Sequence, residues 1–220
     1  MSASVPVIAI DGPSASGKGT VAQLVAQALG FHYLDSGALY RIVALAARRM
    51  DIGWQADDEL AEMTRKLRIT FAQDKVLLDS ADITQAIRSE EISSGASEVA
   101  VHKHVRSALL ELQHSFRQAP GLVADGRDMA SVVFTDAKLK IFLTASVEVR
   151  AERRYKQLLG KGLTADHAQI LHDLQQRDLR DRERSASPLT QTKDALLLDT
   201  TNRNIEQTVQ FVLNAYKKLQ

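Results

Sequence analysis

The feature that most constrains the fold is a glycine-rich loop between a short apolar segment and an amphipathic helix. VPVIAI at 5–10 is continuously apolar, which predicts a fully buried strand. The loop GPSASGKGT follows at 12–20. Apolar residues then recur at helical spacing until Gly30, which predicts the end of the helix. A buried strand, a permissive turn and a helix in this order predict the start of a parallel α/β fold.

The same alternation of strand and helix continues along most of the chain. Further buried strands are predicted at 31–34, 121–125, 139–145 and 195–200. Helices are predicted at about 38–50, 147–159 and 166–184, and a last one is marked by Ile205, Val209, Val212 and Tyr216. Five strands separated by helices predict an α/β protein whose parallel sheet is covered by helices on both faces.

Residues 67–99 interrupt this alternation and form a predicted insertion with its own small sheet. Two short alternating strands, 67–72 and 75–79, lie on either side of a turn at Gln73–Asp74. A polar run at 88–98 follows them, before the next amphipathic helix. The insertion therefore predicts a second, smaller structural part beside the parallel sheet.

The glycine loop has the pattern Gly12-x-x-x-x-Gly17-Lys18. Glycines let successive backbone N–H groups turn around an anion, and a lysine can follow phosphate oxygens, so this context predicts a phosphate-binding loop. The alternative is a glycine-rich turn with a solvated lysine. Gly19 precedes Thr20 where the general pattern has Ser or Thr, which resembles nucleoside monophosphate kinases and disfavours a regulatory GTPase.

Composition excludes several other classes of function. The formal net charge is +1, so no overall basic field attracts nucleic acid or an anionic membrane. The absence of cysteine excludes disulfides, thiolate metal sites and a cysteine nucleophile, and it fits a reducing cytoplasm. No apolar segment reaches membrane-spanning length. We therefore expect a cytoplasmic protein without nucleic-acid or membrane partners, and a monomer.

Two predicted strands are followed by residues suited to a phosphorylated acceptor. DSGALYR contains Ser36, Tyr40 and Arg41, and DGRDM contains Arg127 and Asp128. The carboxyl ends of parallel strands are where such sheets bind ligands, and the planar fork of arginine matches phosphate.

A third cluster lies on the predicted helix QQRDLRDRER. Arg177, Asp181 and Arg184 share one face of this helix, and Arg180 lies beside them. Alone, this pattern also fits a solvated helix with ion pairs between residues four apart, such as Arg177–Asp181. Together with a phosphate loop it favours a source of positive charge for phosphoryl transfer.

These segments resemble bacterial cytidylate kinases. IDGPSASGKGT, YLDSGALYR, GLVADGRDM, KIFLTAS, RDLRDRER, and SPL ahead of ALLLDT occur in the family's order and span nearly the whole chain. The chain departs from the family pattern at Ala130–Ser131, where the family usually reads Gly-Thr. The resemblance implies a P-loop NTPase-like fold and transfer of the γ-phosphoryl group of ATP to CMP or dCMP, with Mg²⁺.

Carried over position by position, the resemblance assigns three sets of residues. The ATP phosphates would be bound by Gly12, Pro13, Ser14, Ala15, Ser16, Gly17, Lys18, Gly19 and Thr20. CMP would be bound by Ser36, Tyr40, Arg41, Ser97, Arg106, Arg127, Asp128, Arg177, Asp181 and Arg184. The catalytic charges would be Lys18, Arg127, Arg153, Arg154, Arg180 and Arg184. No protein side chain is assigned as a direct metal ligand.

The implied base contacts agree with the chemistry of cytosine. Ser97, Arg106 and Asp128 would read the base: a carboxylate accepts from the exocyclic amino group, and a guanidinium donates to N3 and O2. Uracil reverses these polarities, and buried polar groups left unpaired reject an analogue strongly. UMP is therefore expected to be a poor substrate. The alternatives are a kinase for another nucleoside monophosphate, such as UMP or AMP, and a non-catalytic nucleotide-binding or nucleic-acid-binding module.

The expected domain organisation follows from the same resemblance. The core domain would comprise 1–66 and 100–220, and the insertion 67–99 would belong to a domain that binds the nucleoside monophosphate. A short lid is expected at about 156–166. Arg153–Arg154 precede it and would contact phosphate, the alternative being ordinary helix surface.

Overall fold

The computed structural model describes residues 5–72 and 75–219. The predicted turn at Gln73–Asp74 lies outside the described residues. In chain order the elements are β1 (Val7–Asp11), α1 (Lys18–Leu29), β2 (His32–Asp35), α2 (Ser36–Arg49), α3 (Asp57–Lys66), β3 (Ile69–Ala72), β4 (Lys75–Leu78), β5 (Ala81–Asp82), α4 (Glu90–Val99), α5 (Lys103–Ser115), β6 (Leu122–Gly126), β7 (Leu139–Thr144), α6 (Val147–Leu159), α7 (His167–Glu183), β8 (Leu196–Asp199) and α8 (Ile205–Lys217). Two further short turns are a 3₁₀-helix at Ala86–Arg88 and a π-helical turn at Met129–Val133.

The chain divides into two compact units. The first contains the described residues up to Leu34 and from Phe116 onward, and the second is Asp35–Ser115. The second unit extends beyond the predicted insertion, 67–99, because α2, α3 and α5 belong to the same compact unit as the small sheet. Its assignment to acceptor binding stays a prediction.

The first unit is built on the parallel sheet that the alternating pattern predicts. Its strand order is β2-β6-β1-β7-β8, so β1 lies at the centre. The parallel registers align Val7 with Leu122, Ile8 with Leu139, and Ile141 with Leu196. Consequently the loops that follow β1, β6 and β7 leave the same edge of the sheet, which is the edge where parallel α/β sheets bind ligands.

Apolar residues of the central strands and of α1 and α8 form one buried cluster. Gly30 has a φ of +64° and its N–H donates to carbonyls of α1, which ends the helix as the sequence predicts. Asn204 and Gln207 form a reciprocal capping box at the start of α8. These caps fix the ends of the two helices that cover the sheet beside the phosphate loop.

The second unit combines helices with a small antiparallel sheet. β3, β4 and β5 form that sheet in this order, which confirms the small sheet predicted from the sequence. Helix α2 packs against α4, and α3 packs against α5. The sequence did not predict α4, because its apolar side is carried mainly by Ile92, Ala96 and Val99 in a segment that is otherwise polar.

Candidate active site

The loop between β1 and α1 has the geometry of an anion-binding turn. A Cβ atom at Gly12 would lie 1.9 Å from the carbonyl oxygen of Leu143, so no other residue fits there without a shift of backbone. Ala15 and Gly17 have φ values of +57° and +90°. Left-handed residues within a loop turn successive N–H groups towards one point, and the helix that begins at Lys18 adds partial positive charge there.

Two polar side chains of this loop are buried within it. Lys18 is 9% exposed and its ammonium group donates to the carbonyl oxygen of Pro13 at 3.3 Å. The hydroxyl oxygen of Ser16 is buried and has no hydrogen-bond partner in the described protein. A buried hydroxyl and a confined ammonium group fit a ligand rich in acceptor oxygens, such as a polyphosphate.

Arg127 joins this loop to helix α7. Its Nε atom donates to the Asp181 carboxylate at 2.6 Å, and another of its nitrogens donates to the Ser14 hydroxyl at 2.7 Å. Burial opposes the charged form of Arg127, but the Asp181 carboxylate outweighs it and raises the pKa of the guanidinium. Burial likewise opposes the charged form of Asp181, and Arg127 nevertheless holds the pKa of this carboxyl below its usual value.

A second arginine, which the sequence analysis did not single out, also reaches Ser14. Arg150 is 3% exposed and makes two bonds to the Asp178 carboxylate, at 2.5 and 3.1 Å. It also donates to the carbonyl oxygens of Ser14 at 3.1 Å and Ala145 at 3.0 Å. Asp178 and Asp181 of α7 thus each bind an arginine from outside the helix, so α7 is not the solvated helix of the alternative interpretation.

The carboxylate of Asp11 ties the end of β1 to the loop after β6. Its two oxygens accept from the backbone N–H groups of Met129 and Ala130, each at 2.8 Å. Burial raises the pKa of the Asp11 carboxyl to about 6, although the N–H groups of Ala130 and Met129 oppose it. Neither Ala130 nor Ser131 has a positive φ, so the departure from the family's Gly-Thr leaves this turn unstrained. Asp128, immediately before it, is 2% exposed.

The remaining predicted arginines of the first unit lie on α6 and α7. Arg153 donates to the carbonyl oxygens of Ser16 at 3.3 Å and Thr200 at 2.6 Å, and burial lowers its pKa. Arg154 donates to Gln157 in the same helix at 2.6 Å. Arg177 and Arg180 of α7 are half-buried, and Arg184, the residue directly after α7, is buried. The structure therefore brings Arg153 to the phosphate loop.

In the second unit, hydrogen bonds hold the side chains of Ser36 and Arg41 in place near the start of α2. Asp35 caps the helix by accepting from the N–H of Ala38 at 2.9 Å, and it binds Arg41 at 2.6 Å. The Nε atom of Arg41 is buried without a partner in the described protein. Ser36 is 2% exposed, and its hydroxyl oxygen accepts from the Gln113 amide at 3.0 Å. Because Gln113 occupies the acceptor side of this hydroxyl, its proton is available to an anion.

The predicted base-reading residues of this unit are also buried. The Arg106 guanidinium lies 5.3 Å from the centre of the Tyr40 ring and donates to the carbonyl oxygen of Ala100 at 2.9 Å. The Ser97 hydroxyl is buried and lacks a partner in the part of the chain that the structure describes. A held guanidinium, an aromatic ring and an unsatisfied hydroxyl fit the recognition of a polar planar base.

Asp125 is a further carboxylate that the sequence analysis did not assign. It lies in β6, is 5% exposed, and accepts from the Tyr33 hydroxyl at 3.0 Å. A Cβ atom at Gly19 would lie 3.5 Å from its other oxygen, so Asp125 adjoins the start of α1. Among residues 5–72 and 75–219, no three His, Cys, Asp or Glu side chains cluster as a metal site. A divalent cation here would depend largely on phosphate and water ligands, as Mg²⁺ commonly does.

Comparison with known proteins identifies the family. A sequence model of the cytidylate kinase family matches residues 8–218. The chain belongs to the cytidylate kinase family. A protein named cytidylate kinase from Polynucleobacter asymbioticus is 57% identical to it over 97% of each chain. One of the same name from Chromobacterium violaceum is 56% identical over 98% of this chain and 97% of its own length. The resemblance drawn from the sequence motifs is thereby confirmed.

A solved structure gives a more distant likeness. The crystal structure of a gluconokinase from Sinorhizobium meliloti 1021 aligns with a TM-score of 0.50 and 15% identity, over 98% of this chain and 93% of that one. This likeness concerns the fold alone, and it agrees with the predicted P-loop architecture. In the described part of the chain, no helix is both long enough and apolar enough to cross a bilayer.

Proposed function

We propose that this protein transfers the γ-phosphoryl group of ATP to CMP or dCMP, forming ADP and CDP or dCDP. Membership of the cytidylate kinase family supports this assignment. The observation that carries it in the structure is the bridge from Ser14 through Arg127 to Asp181, which links the phosphate loop to an acceptor-side arginine. The relatives described above share the name cytidylate kinase, which disfavours a kinase for UMP or AMP.

On the donor side, the loop 12–20 binds the ATP phosphates through its backbone N–H groups. Lys18 and Arg153 add full positive charges beside that loop. Mg²⁺ would be held largely by phosphate and water, and Asp125 would bind it through water, because Asp125 is a buried carboxylate beside the start of α1. When bound, this ion would neutralise phosphate oxygens and help to orient them.

On the acceptor side, the arginines of the first unit bind the phosphate of CMP. Arg127 is already charged and buried, so it exchanges its protein acceptors for phosphate oxygens without changing its protonation. Arg180 of α7 and Arg184 directly after it supply further positive charge as the phosphoryl group moves, and Arg177 and Asp181 contact the sugar. Such preorganised charge is the main contribution of protein to phosphoryl transfer.

The second unit contributes its own acceptor residues. Arg41 and Ser36 donate to the phosphate, since Arg41 retains an unsatisfied Nε atom and Ser36 is held by Gln113 with its proton available. Tyr40 packs beside the nucleoside. Ser97 and Arg106 read the base by the donor and acceptor pattern of cytosine, and the resemblance assigns the carboxylate of that pattern to Asp128.

No side chain acts as a general base in this proposal. The nucleophile is an oxygen of the acceptor phosphate, which is already anionic at neutral pH. The segment at about 156–166, which comprises the end of α6 and the loop that leads to α7, serves as a lid that excludes water as a competing acceptor. A monomeric, cytoplasmic enzyme without nucleic-acid or membrane partners stays our expectation from the sequence.

A panel of acceptors tests the proposed substrate. ADP release is measured in a coupled assay with CMP, dCMP, UMP and AMP at equal concentrations, with and without Mg²⁺. CMP and dCMP should give the highest kcat/KM. Asp128→Ala should narrow the ratio of kcat/KM between CMP and UMP. A wild-type preference for AMP or UMP, or an unchanged ratio in the variant, would contradict the base assignment.

A matched pair of lysine variants tests whether the phosphate loop is catalytic. Lys18→Met removes the buried ammonium group of the loop, whereas Lys66→Met removes an exposed one that pairs with Glu62 on α3. Lys18→Met should lose nearly all turnover while circular dichroism shows the native fold, and Lys66→Met should retain it. Equal activity in the two variants would contradict the catalytic role of Lys18, whereas a folded wild type without turnover would favour a non-catalytic binding module.

A further inference from the structure

Two aspartates of α7 reach the phosphate loop through two different arginines. Asp181 binds Arg127, which donates to the Ser14 hydroxyl, and Asp178 binds Arg150, which donates to the Ser14 carbonyl oxygen. Ser14 is therefore contacted on both its side chain and its main chain by bridges that lead to the same helix. The two aspartates are three residues apart, so both bridges leave one side of α7.

Arg150 differs from Arg127 in being more fully committed to protein acceptors. Four of its five N–H groups are used: one on Ala145, one on Ser14 and two on the Asp178 carboxylate. Its side chain is 4% exposed and that of Asp178 is 11% exposed. A guanidinium so enclosed does not contact nucleotide, and its role must be exerted through the groups that it holds.

We propose that Arg150 is a positioning residue that, with Asp178, holds helix α7 in register with the phosphate loop. This inference rests on the proposed roles of Arg180 on α7 and of Arg184 directly after its last residue. Arg127 uses three of its five N–H groups on Asp181, Gly126 and Ser14, and in the proposed function it also binds the acceptor phosphate, which competes with these contacts. The bridge through Arg150 has no such competition, and it keeps α7 in place when the contacts of Arg127 change.

The expected kinetic signature is a loss of kcat with little change in KM. Weakening the pair leaves the loop and the acceptor residues able to bind their ligands in the ground state. It lets the arginines of α7 move relative to the transferring group, and a misplacement of about 1 Å can cost on the order of 100-fold in rate. A purely structural pair would instead lower thermal stability and leave kcat of the folded enzyme unchanged.

The test compares Arg150→Lys, Asp178→Asn and the double variant with wild type, using the full chain. Arg150→Lys keeps the positive charge but replaces three donor nitrogens, which reach Ala145, Ser14 and Asp178, by a single one. Asp178→Asn keeps the shape but not the charge. Arg182→Lys is the matched control, since Arg182 lies on the same helix with an exposed side chain. Thermal unfolding verifies that each variant is folded at the assay temperature. If Asp178→Asn is not folded, the kinetics of Arg150→Lys alone decide the test.

We expect each single variant to lose about 10- to 100-fold in kcat, with KM for ATP and for CMP within about threefold of wild type. The double variant should be about as slow as the slower single one, because both changes remove the same contact. Arg182→Lys should stay within about twofold. Unchanged kcat in the folded single variants, or fully additive losses, would overturn the positioning role. Failure of the wild type to phosphorylate CMP would instead refute the proposed function.

Discussion

Asp11 provides the sharpest physical prediction, because it is a buried carboxylate that opposes folding at neutral pH. Burial raises its pKa from 3.8 to about 6, while backbone N–H groups and Lys18 oppose that rise. A carboxyl whose folded pKa is raised contributes stability that is complete below the unfolded pKa and is lost as pH rises through the folded one. Replacing Asp11 by Asn removes this titration and keeps the size of the side chain.

The magnitude follows from the two pKa values. A rise from 3.8 to about 6 makes the ionised folded state about 3 kcal/mol less favourable than the protonated one, relative to the unfolded chain. Most of this difference develops between pH 4.5 and 7.5. Over that interval, linkage lowers the contribution of Asp11 to the free energy of unfolding by about 2 kcal/mol. Asn keeps one acceptor and loses the other, but that cost is independent of pH. The stability of Asp11→Asn relative to wild type should therefore increase by about 2 kcal/mol across this interval.

The assay is urea unfolding of wild type and variant at pH 4.5, 6 and 7.5, followed by circular dichroism. Asp199→Asn is a control that should show no pH dependence here, because hydrogen bonds from the Thr201 hydroxyl and N–H lower the pKa of Asp199. Its stability relative to wild type should stay nearly constant over the same interval, since a lowered pKa gives stability that is already complete above the unfolded pKa and is lost only at lower pH. A relative stability of Asp11→Asn that is flat or decreasing with pH would refute the reasoning.

Three further substitutions probe individual contacts. Gly12→Ala would bring a Cβ atom to 1.9 Å from a backbone carbonyl of β7, so KM for ATP should rise by at least about tenfold; unchanged ATP kinetics would contradict this. Gly95→Ala would push a Cβ atom to 2.5 Å from the Trp54 ring, and urea unfolding followed by tryptophan emission should show a loss of about 1–3 kcal/mol; wild-type stability would refute this clash. Gln113→Leu frees the Ser36 hydroxyl, and KM for CMP should rise about three- to tenfold with KM for ATP unchanged; an equal rise in both would argue against a role at the acceptor.

The parallel sheet could be predicted from the sequence because its signals are local. Each strand is a short apolar run, and Gly30 and the break at 160–162 end helices where the chain has glycine. Helix α4 could not be predicted in the same way. Its residues are mostly polar and include Gly95, whose missing side chain makes room for the Trp54 ring. Glycine has a low helix propensity, so the sequence alone does not favour a helix at Gly95. Packing against Trp54 explains why a glycine lies inside α4.

The parts of the candidate site that consist of a short sequence motif could be predicted from the sequence. The parts that depend on contacts between residues distant in sequence could not. The phosphate loop and the residues after β2 and β6 follow from short patterns. Arg150 sits in a charged helix whose sequence resembles solvated surface, and its partners Ser14 and Asp178 are 136 and 28 residues away. Gln113 is similarly 77 residues from Ser36. Charge pattern within one helix carries no information about such contacts, so only the fold could assign them.

The buried charges of the first unit have a common explanation in this arrangement. Asp11 opposes folding at neutral pH, and buried ion pairs such as that of Arg150 are often no more stabilising than apolar residues of similar volume. Their partners, however, are consistently elements of the candidate site: the loop after β6, the phosphate loop and α7. An apolar side chain could fill the same volume, but it could not hold backbone N–H groups or carbonyl oxygens at fixed points. Electrostatic preorganisation therefore explains these residues better than stability does.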